Sequence, residues 1–486
     1  MSNSLSERSL SAIVWSFLDK LGSSVISFVV TIILARLLSP EDFGLVAMVM
    51  IFFEFSSVFV ESGFSTALVR EKTISEADKS TTFIFNLTAS LVVYAILFAG
   101  APWIATFFKQ PLLAWIIRIM GLNLIVNALS IVQHSVLLQK IDFRTQAIVR
   151  SVAVLISGSC AVLLAYNGGG VWSLVARFML MDLTTTLLFW LIIPWKPSAQ
   201  FSRESFKKLF GFGSKILAAA VLDKFYVHIY KLLIGKLFSA ATLGFYTQAN
   251  NFTNMVINTL FRTVHNVTYP VLSKLQDDTE KLKAGYRKVL KISSFVIVPA
   301  MVVLGVLAEP VIRALVGEKW LPSVPMLWLL CLSGLTYHFS SINLNVLLVL
   351  GRSDLSLKLE IIKKVNITIS IIIGLQFGIY GLIIGEVVSA YINLFINAYY
   401  SKKFLKYSIP EQLKDVMPTV AFSALIGGLL FFLKDYPAFP GIVNVVLISI
   451  VGGVVYLALH VLAKTEEMEM LRRLIIPKTL KLISRG

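Results

Sequence analysis

Lys224, His228 and Lys231 stand at i, i+4 and i+7 in the stretch LDKFYVHIYK, a spacing that gathers them on one helix face within about 60°. Two ammonium groups and an imidazole on one face suit an anion, above all phosphate oxygens, through charge-assisted hydrogen bonds that strengthen where water is scarce. Asp223 falls about 100° round the same helix, on its flank. The flanking residues are apolar enough for lipid, where a bare charge near the centre costs about 2.5–3.5 kcal/mol on insertion scales. Residues so placed call for a partner or a function.

The next segment carries Thr247, Asn251, Asn254, Asn258, Arg262 and His265, spaced so that they share one narrow face. Four more stripes follow the same rule: Ser16/Lys20/Ser23/Ser27/Thr31, Glu54/Ser57/Glu61/Ser65, Asn123/Asn127/Ser130/His134 and Glu386/Ser389/Asn393/Asn397. In lipid a polar face points inward, to protein or to water. Ser and Asn also join helices, and intramembrane ion pairs such as Lys20 with Glu61 are the structural alternative. Five stripes with mid-membrane charges favour a water-filled, mainly basic cavity. On that reading Lys20, Lys224, His228, Lys231, Arg177 and Arg262 bind an anion, and Asn251, Asn254 and Asn258 take the hydroxyls of a sugar. Glu54, Glu61 and Asp223 are partial counterions and the candidates for coupling to H⁺ or Na⁺, between which the sequence does not choose. No catalytic group, metal set or cofactor motif is read.

The elements that must position these residues are membrane helices. The chain has 486 residues, 57% of them hydrophobic, and a mean hydropathy of +0.80, against about 45–50% apolar residues in soluble domains. A bilayer core needs about 20 apolar residues per helix, which gives about fourteen spans. Their approximate limits are 12–37, 43–68, 80–107, 112–137, 145–166, 170–193, 206–237, 241–272, 286–308, 322–350, 356–376, 379–401, 414–433 and 441–463. Spans 206–237 and 241–272 are long, so each is expected to tilt, kink or continue beyond the membrane.

The net charge of +17 does not point to nucleic acid, because of the 44 Lys and Arg about 31 fall in every second loop and the termini, and about 6 in the alternate loops. That asymmetry predicts an even number of spans with both termini cytoplasmic, and no removable leader is expected. The loops leave no room for a folded extramembrane domain. The tail TEEMEMLRRLIIPKTLKLISRG reads either as an interfacial amphipathic helix or as a solvated basic end. Cys160 and Cys331 sit singly in apolar segments and read as packing residues.

LARLLSPEDFGL (34–45) parallels IGKLFSAATLGF (234–245), LLQKIDF (137–143) parallels VLGRSDL (349–355), and GGGVWSLV (168–175) parallels FGIYGLII (377–384). Three matches in order, at offsets near 200–212 residues, indicate two homologous halves. Six spans per half give both the same orientation, the parallel-repeat design of secondary transporters with a substrate site between lobes. The expected division is an N-lobe (1–200), a C-lobe (201–405), and two added helices with the tail (406–486).

LARLLSPEDFGLVAM, VESGFSTALVREK, LLQKIDFR, WKPSAQFSRESFKKLFGFG, LIGKLFSAATLGFYTQA, YPVLSKLQ and AEPVIRALVGEKWLP resemble bacterial polysaccharide-export flippases of the multidrug/oligosaccharidyl-lipid/polysaccharide exporter superfamily, nearest to the colanic-acid-exporter-like branch. The resemblance covers nearly the whole chain. It implies a protein of the bacterial inner membrane that moves an undecaprenyl-pyrophosphate-linked oligosaccharide from the inner to the outer leaflet by alternating access, alongside other polysaccharide-assembly proteins. Many relatives carry Asp before Arg or Lys ahead of the LLIG segment, where this chain has Tyr230-Lys231.

Three other readings compete with this one. A multidrug exporter of the same superfamily usually has twelve spans and acidic sites. A major-facilitator transporter would carry a GxxxDRxGRR-type loop, where REKTISEADKS stands. A membrane polymerase or glycosyltransferase would be expected to show a large outer loop or an Asp-x-Asp site. No GxxxxGK[ST] loop occurs, which argues against ATP hydrolysis by this chain.

Overall fold

The two copies of the repeat open helices in the same way. Ser39 takes the N–H of Asp42 at 3.2 Å while the Asp42 carboxylate accepts from the Ser39 N–H at 2.9 Å, a reciprocal cap ahead of Pro40. Two hundred residues on, Ser239 takes the Thr242 N–H at 3.1 Å, and the two hydroxyls bond at 2.8 Å. The serine shared by the copies is thus a helix start, which is why it repeats.

The computed structural model describes residues 22–470 apart from 62–63, 65–66, 69–73, 141, 199 and 436–440, together with 472; at 212, 215–216, 218–219, 258 and 260–271 it gives the backbone alone. All regular structure among these residues is helical. The order is α1 (Gly22–Leu37), α2 (Pro40–Glu61), α3 (Glu76–Phe108), α4 (Leu113–Ala128), α5 (Ile131–Gln139), α6 (Phe143–Tyr166), α7 (Val171–Ile192), α8 (Arg203–Leu237), α9 (Ala240–Ser273) and α10 (Thr279–Val306). Then follow α11 (Ala308–Leu315), a 3₁₀ turn (Glu318–Ser323), α12 (Val324–Val349), α13 (Ser353–Leu375), α14 (Gly378–Leu405), α15 (Ile409–Leu433) and α16 (Ile442–Leu462).

Among the described residues nine helices are long and apolar enough to cross a bilayer, or ten if α4 and α5, bent by 44°, form one span. The chain is therefore an all-α, multi-pass membrane protein. The other four expected spans coincide with α1, α8, α9 and α13, which do not pass on length and composition alone. The reason lies in their polar residues and, for α1, in a described length of 16 residues. α8 carries Asp223, Lys224 and Lys231 in its interior, α9 is studded with Asn and Thr, and α13 holds Lys358, Glu360, Lys363 and Lys364. With 35 and 34 residues, α8 and α9 are about 50 Å long, well beyond the ~30 Å hydrocarbon core.

The helices pack as two compact units, Met1–Thr247 and Gln248–Gly486. This is a division by packing, distinct from the repeat-based lobes. In the first unit the repeat copies meet each other: a Cβ on Gly44 would collide with the carbonyl of Ala240, and one on Gly244 with the carbonyl of Pro40. Pro40 and Ala240 are themselves equivalent positions in the repeat, so the contact is reciprocal. The glycines recur because two backbones cross with no room for a side chain.

Two prolines inside helices each have their lost hydrogen bond answered from a neighbouring helix. Pro102 has no N–H to give the carbonyl of Phe98, and the Nε of Arg118 in α4 donates to that oxygen at 3.4 Å. Pro299 likewise strips the carbonyl of Phe295, which accepts from the Tyr456 hydroxyl of α16 at 2.9 Å. The α4–α5 bend has no proline. There Thr186 of α7 bonds the carbonyl of Val126 at 3.1 Å, and the Trp190 indole that of Leu129 at 2.9 Å, so inserted side chains replace the helix ladder.

In the second unit α14 is sandwiched by α12 and α13. Asn366 of α13 donates to Ser389 Oγ at 3.0 Å and to Asn393 Oδ1 at 2.9 Å, and Asn397 donates to Ser340 Oγ at 2.6 Å. Three members of the polar stripe expected to face water on this helix thus join helices instead, because buried amides find partners wherever a neighbour offers one. After α16 the chain is tied back to α10: Lys291 pairs with Glu466 at 2.7 Å, and His460 Nδ1 lies 2.8 Å from Thr465 Oγ1.

Candidate functional site

The expected basic face of α8 meets an acid of α2 inside the first unit. Lys224 Nζ lies 2.9 Å from Glu54 Oε2, and His228 Nε2 lies 3.1 Å from the same oxygen. One turn separates the two donors, so a single carboxylate oxygen bridges them. The environments differ. His228 is buried at 5% exposure, and its Nδ1 has no hydrogen-bond partner, whereas the Lys224 and Glu54 side chains keep 37% and 33% of their surface. Glu61, two turns along α2, is exposed and lies within electrostatic reach of Lys224.

This is an ammonium and an imidazole held by one acid, with the ammonium accessible. An arriving anion would compete with Glu54 for Lys224, and a cation arriving at Glu54 would release Lys224 and His228.

The remaining expected residues fall out as follows. Arg177 of α7 is engaged by α1: it donates to Thr31 Oγ1 at 2.9 Å, to Ser27 Oγ at 2.7 Å and to the Ser27 carbonyl at 3.0 Å. Those are the contacts of a tie between helices. Lys231 is half-buried and Asp223 exposed. Asn251 and Asn254 are exposed in the second unit, where Asn254 donates to Asn250 Oδ1. Lys20 lies outside the described residues, as do the side chains of Asn258 and Arg262.

Sequence reasoning missed Asp182 of α7, whose Oδ2 accepts from Asn127 Nδ2 at 3.3 Å. The signal was available: MDLTTT is the one acid in an otherwise uncharged run after Arg177, and Asn127 was already marked as part of a stripe. Among the described residues no group of three or more His, Cys, Asp or Glu is arranged to hold a metal ion.

A family model described as polysaccharide biosynthesis protein matches residues 33–325. The chain belongs to that family. It is 28% identical over 319 residues to the succinoglycan biosynthesis transport protein ExoT of Rhizobium meliloti, covering 66% of this chain and 65% of that relative, so the match stops just short of two thirds of its length. It is 24% identical over 362 residues to the lipopolysaccharide biosynthesis protein WzxC of Escherichia coli, covering 74% of each. The teichuronic acid biosynthesis protein TuaB of Bacillus subtilis matches at 22% over 356 residues, 73% of this chain and 74% of that one. In fold the chain is similar to the lipid II flippase MurJ in an inward closed conformation, with a TM-score of 0.75 at 18% identity, covering 96% of this chain and all of that one. It is also similar to an inward-facing multidrug resistance transporter of the MATE family, with a TM-score of 0.61 at 17% identity over 79% of this chain and 96% of that one. By their printed names ExoT is a transport protein, and the two solved structures are a flippase and a multidrug transporter.

Proposed function

We propose that the chain is a flippase that carries an undecaprenyl-pyrophosphate-linked oligosaccharide from the cytoplasmic to the periplasmic leaflet for polysaccharide biosynthesis. In this reading fourteen spans form two six-helix lobes, 1–200 and 201–405, with 406–486 added and both termini cytoplasmic. The lobes alternate access around a central basic cavity. The observation that carries the reading is Glu54 bridging Lys224 and His228, a contact between a helix of the first lobe and one of the second. The pyrophosphate takes Lys224 and His228 from Glu54, with Lys20, Lys231 and Arg262 adding charge and Asn251, Asn254 and Asn258 meeting the first sugars. The freed Glu54 then accepts H⁺ or Na⁺, which couples release to an ion gradient; Glu61 and Asp223 are the alternative acids. The prenyl chain stays in lipid throughout. The reciprocal crossing at Gly44 and Gly244, at equivalent points of the repeat, supports a pseudo-two-fold axis along the membrane normal.

The test is reconstitution in liposomes with a lipid-linked oligosaccharide, comparing wild type with Lys224→Ala and Arg262→Ala. Both variants are expected to lose most transport while remaining folded. Full transport by both would overturn the cationic site, and hydrolysis or polymerisation of the substrate would replace the reading by that of an enzyme.

A further inference from the structure

Arg118 of α4 is held on three sides. Its guanidinium lies over the ring of Phe98, 4.6 Å from the centroid, and 5.4 Å from that of Trp115. Its Nε donates to the Phe98 carbonyl that Pro102 leaves without an N–H. That bond uses a single donor of the fork, and the N–H groups of Nη1 and Nη2 remain. Among the described residues these two nitrogens meet neither a carboxylate nor another acceptor.

The rings around the cation face outward. Trp115 is 60% exposed, Phe98 45%, and Trp103, one residue past Pro102, 77%. On membrane helices, exposed aromatics of this kind lie at the level of the headgroups. With the start of α4 at the membrane surface, Arg118, five residues into the helix and about 8 Å from that start, comes level with lipid phosphates and glycerol esters. A guanidinium there needs an anion, and the anion must arrive on a molecule that is itself in the bilayer.

We propose that Arg118, Phe98 and Trp115 form a site for the phosphate of one anionic glycerophospholipid, drawn from the leaflet nearest the α3–α4 connection. The planar fork matches two phosphate oxygens, and the flanking rings fix its plane so that little side-chain freedom is lost on binding. A net-anionic headgroup is selected because, among the described residues, no carboxylate pairs with Arg118, and the Phe98 and Trp115 ring faces are already taken by the guanidinium. The Tyr94 hydroxyl beside Arg118 is already spent on the Arg118 carbonyl at 3.2 Å, so the site offers charge rather than the amides proposed for sugars in the transport cavity.

Native mass spectrometry of the purified full-length protein, titrated with phosphatidylglycerol and with phosphatidylcholine, tests this. Wild type is expected to retain one phosphatidylglycerol in preference to phosphatidylcholine, and Arg118→Gln to weaken that binding by at least roughly tenfold. Because Arg118 also serves the Phe98 carbonyl, the same substitution is made on a Pro102→Ala background, where the restored N–H takes over that bond. The loss of affinity is expected to persist there. Trp115→Leu, which leaves the cation in place, is expected to weaken binding about two- to fivefold without lowering thermal stability. Unchanged phosphatidylglycerol affinity in Pro102→Ala/Arg118→Gln relative to Pro102→Ala would overturn the proposal. So would equal binding of phosphatidylcholine, or preferential displacement by a polyprenyl pyrophosphate, which would make the occupant a transported lipid.

Discussion

At the scale of single residues, the strength of the Glu54–Lys224 contact bears on what it is for. Breaking a fully buried ion pair typically costs about 3–5 kcal/mol, whereas exposed pairs are worth about 0–1 kcal/mol. Each partner here keeps about a third of its side-chain surface, 37% and 33%, so the pair belongs nearer the lower range. A contact that weak can be exchanged for a ligand. Glu54→Gln is therefore expected to lower stability by about 1 kcal/mol or less in thermal unfolding, while liposome transport falls by more than roughly tenfold. A loss of stability large enough to account for the lost flux would assign the pair to structure. Of this site, the basic face of α8 was legible, because its spacing is local. The identity of its acid was not, since Glu54 and Lys224 are 170 residues apart and the sequence offered Glu54, Glu61 and Asp223 alike. Asp182 escaped because a lone acid has no periodicity.

At the scale of elements, the prolines show how helices in lipid balance their backbone. Tyr456→Phe removes the donor that answers the Phe295 carbonyl and is expected to destabilise the protein by about 1–3 kcal/mol. On a Pro299→Ala background the same change is expected to cost much less, because the helix again supplies its own N–H; a thermal-unfolding double-mutant cycle reads the difference. Equal costs in both backgrounds would mean that Tyr456 acts through packing alone. Gly244→Ala forces a methyl into the Pro40 carbonyl, and is expected to separate the starts of α2 and α9. Paired cysteines at 40 and 240 would then cross-link more slowly than in the parent. Helix positions were legible from hydropathy for the nine described helices that pass on length and composition and for the bent pair, while α1, α8, α9 and α13 fall on expected spans without passing. The α4–α5 bend was not, because its cause lies in Thr186 and Trp190 of another helix.

At the scale of the whole molecule, the segment after α16 offers a pH-dependent handle. The hydrogen bond from Lys291 holds the Glu466 carboxyl below its ordinary value of 4.5. A depressed carboxylate stabilises the folded state fully above the ordinary value and loses that contribution as the pH falls through its own lower one. Amide protection at residues 463–470, corrected for the intrinsic pH dependence of exchange, is accordingly expected to be high at neutral pH and to fall below about pH 4.5. Glu466→Gln should show low protection at both, and an unchanged pH response in that variant would place the switch elsewhere. The Glu54–Lys224 bridge has a consequence on a different clock. Its partners are 170 residues apart in the chain, and at about 5–20 residues per second the ribosome delivers Lys224 roughly 10–30 s after Glu54. For that interval α2 waits in or beside the bilayer with an unmatched acid, so the early helices are a burden on the insertion machinery until α8 arrives.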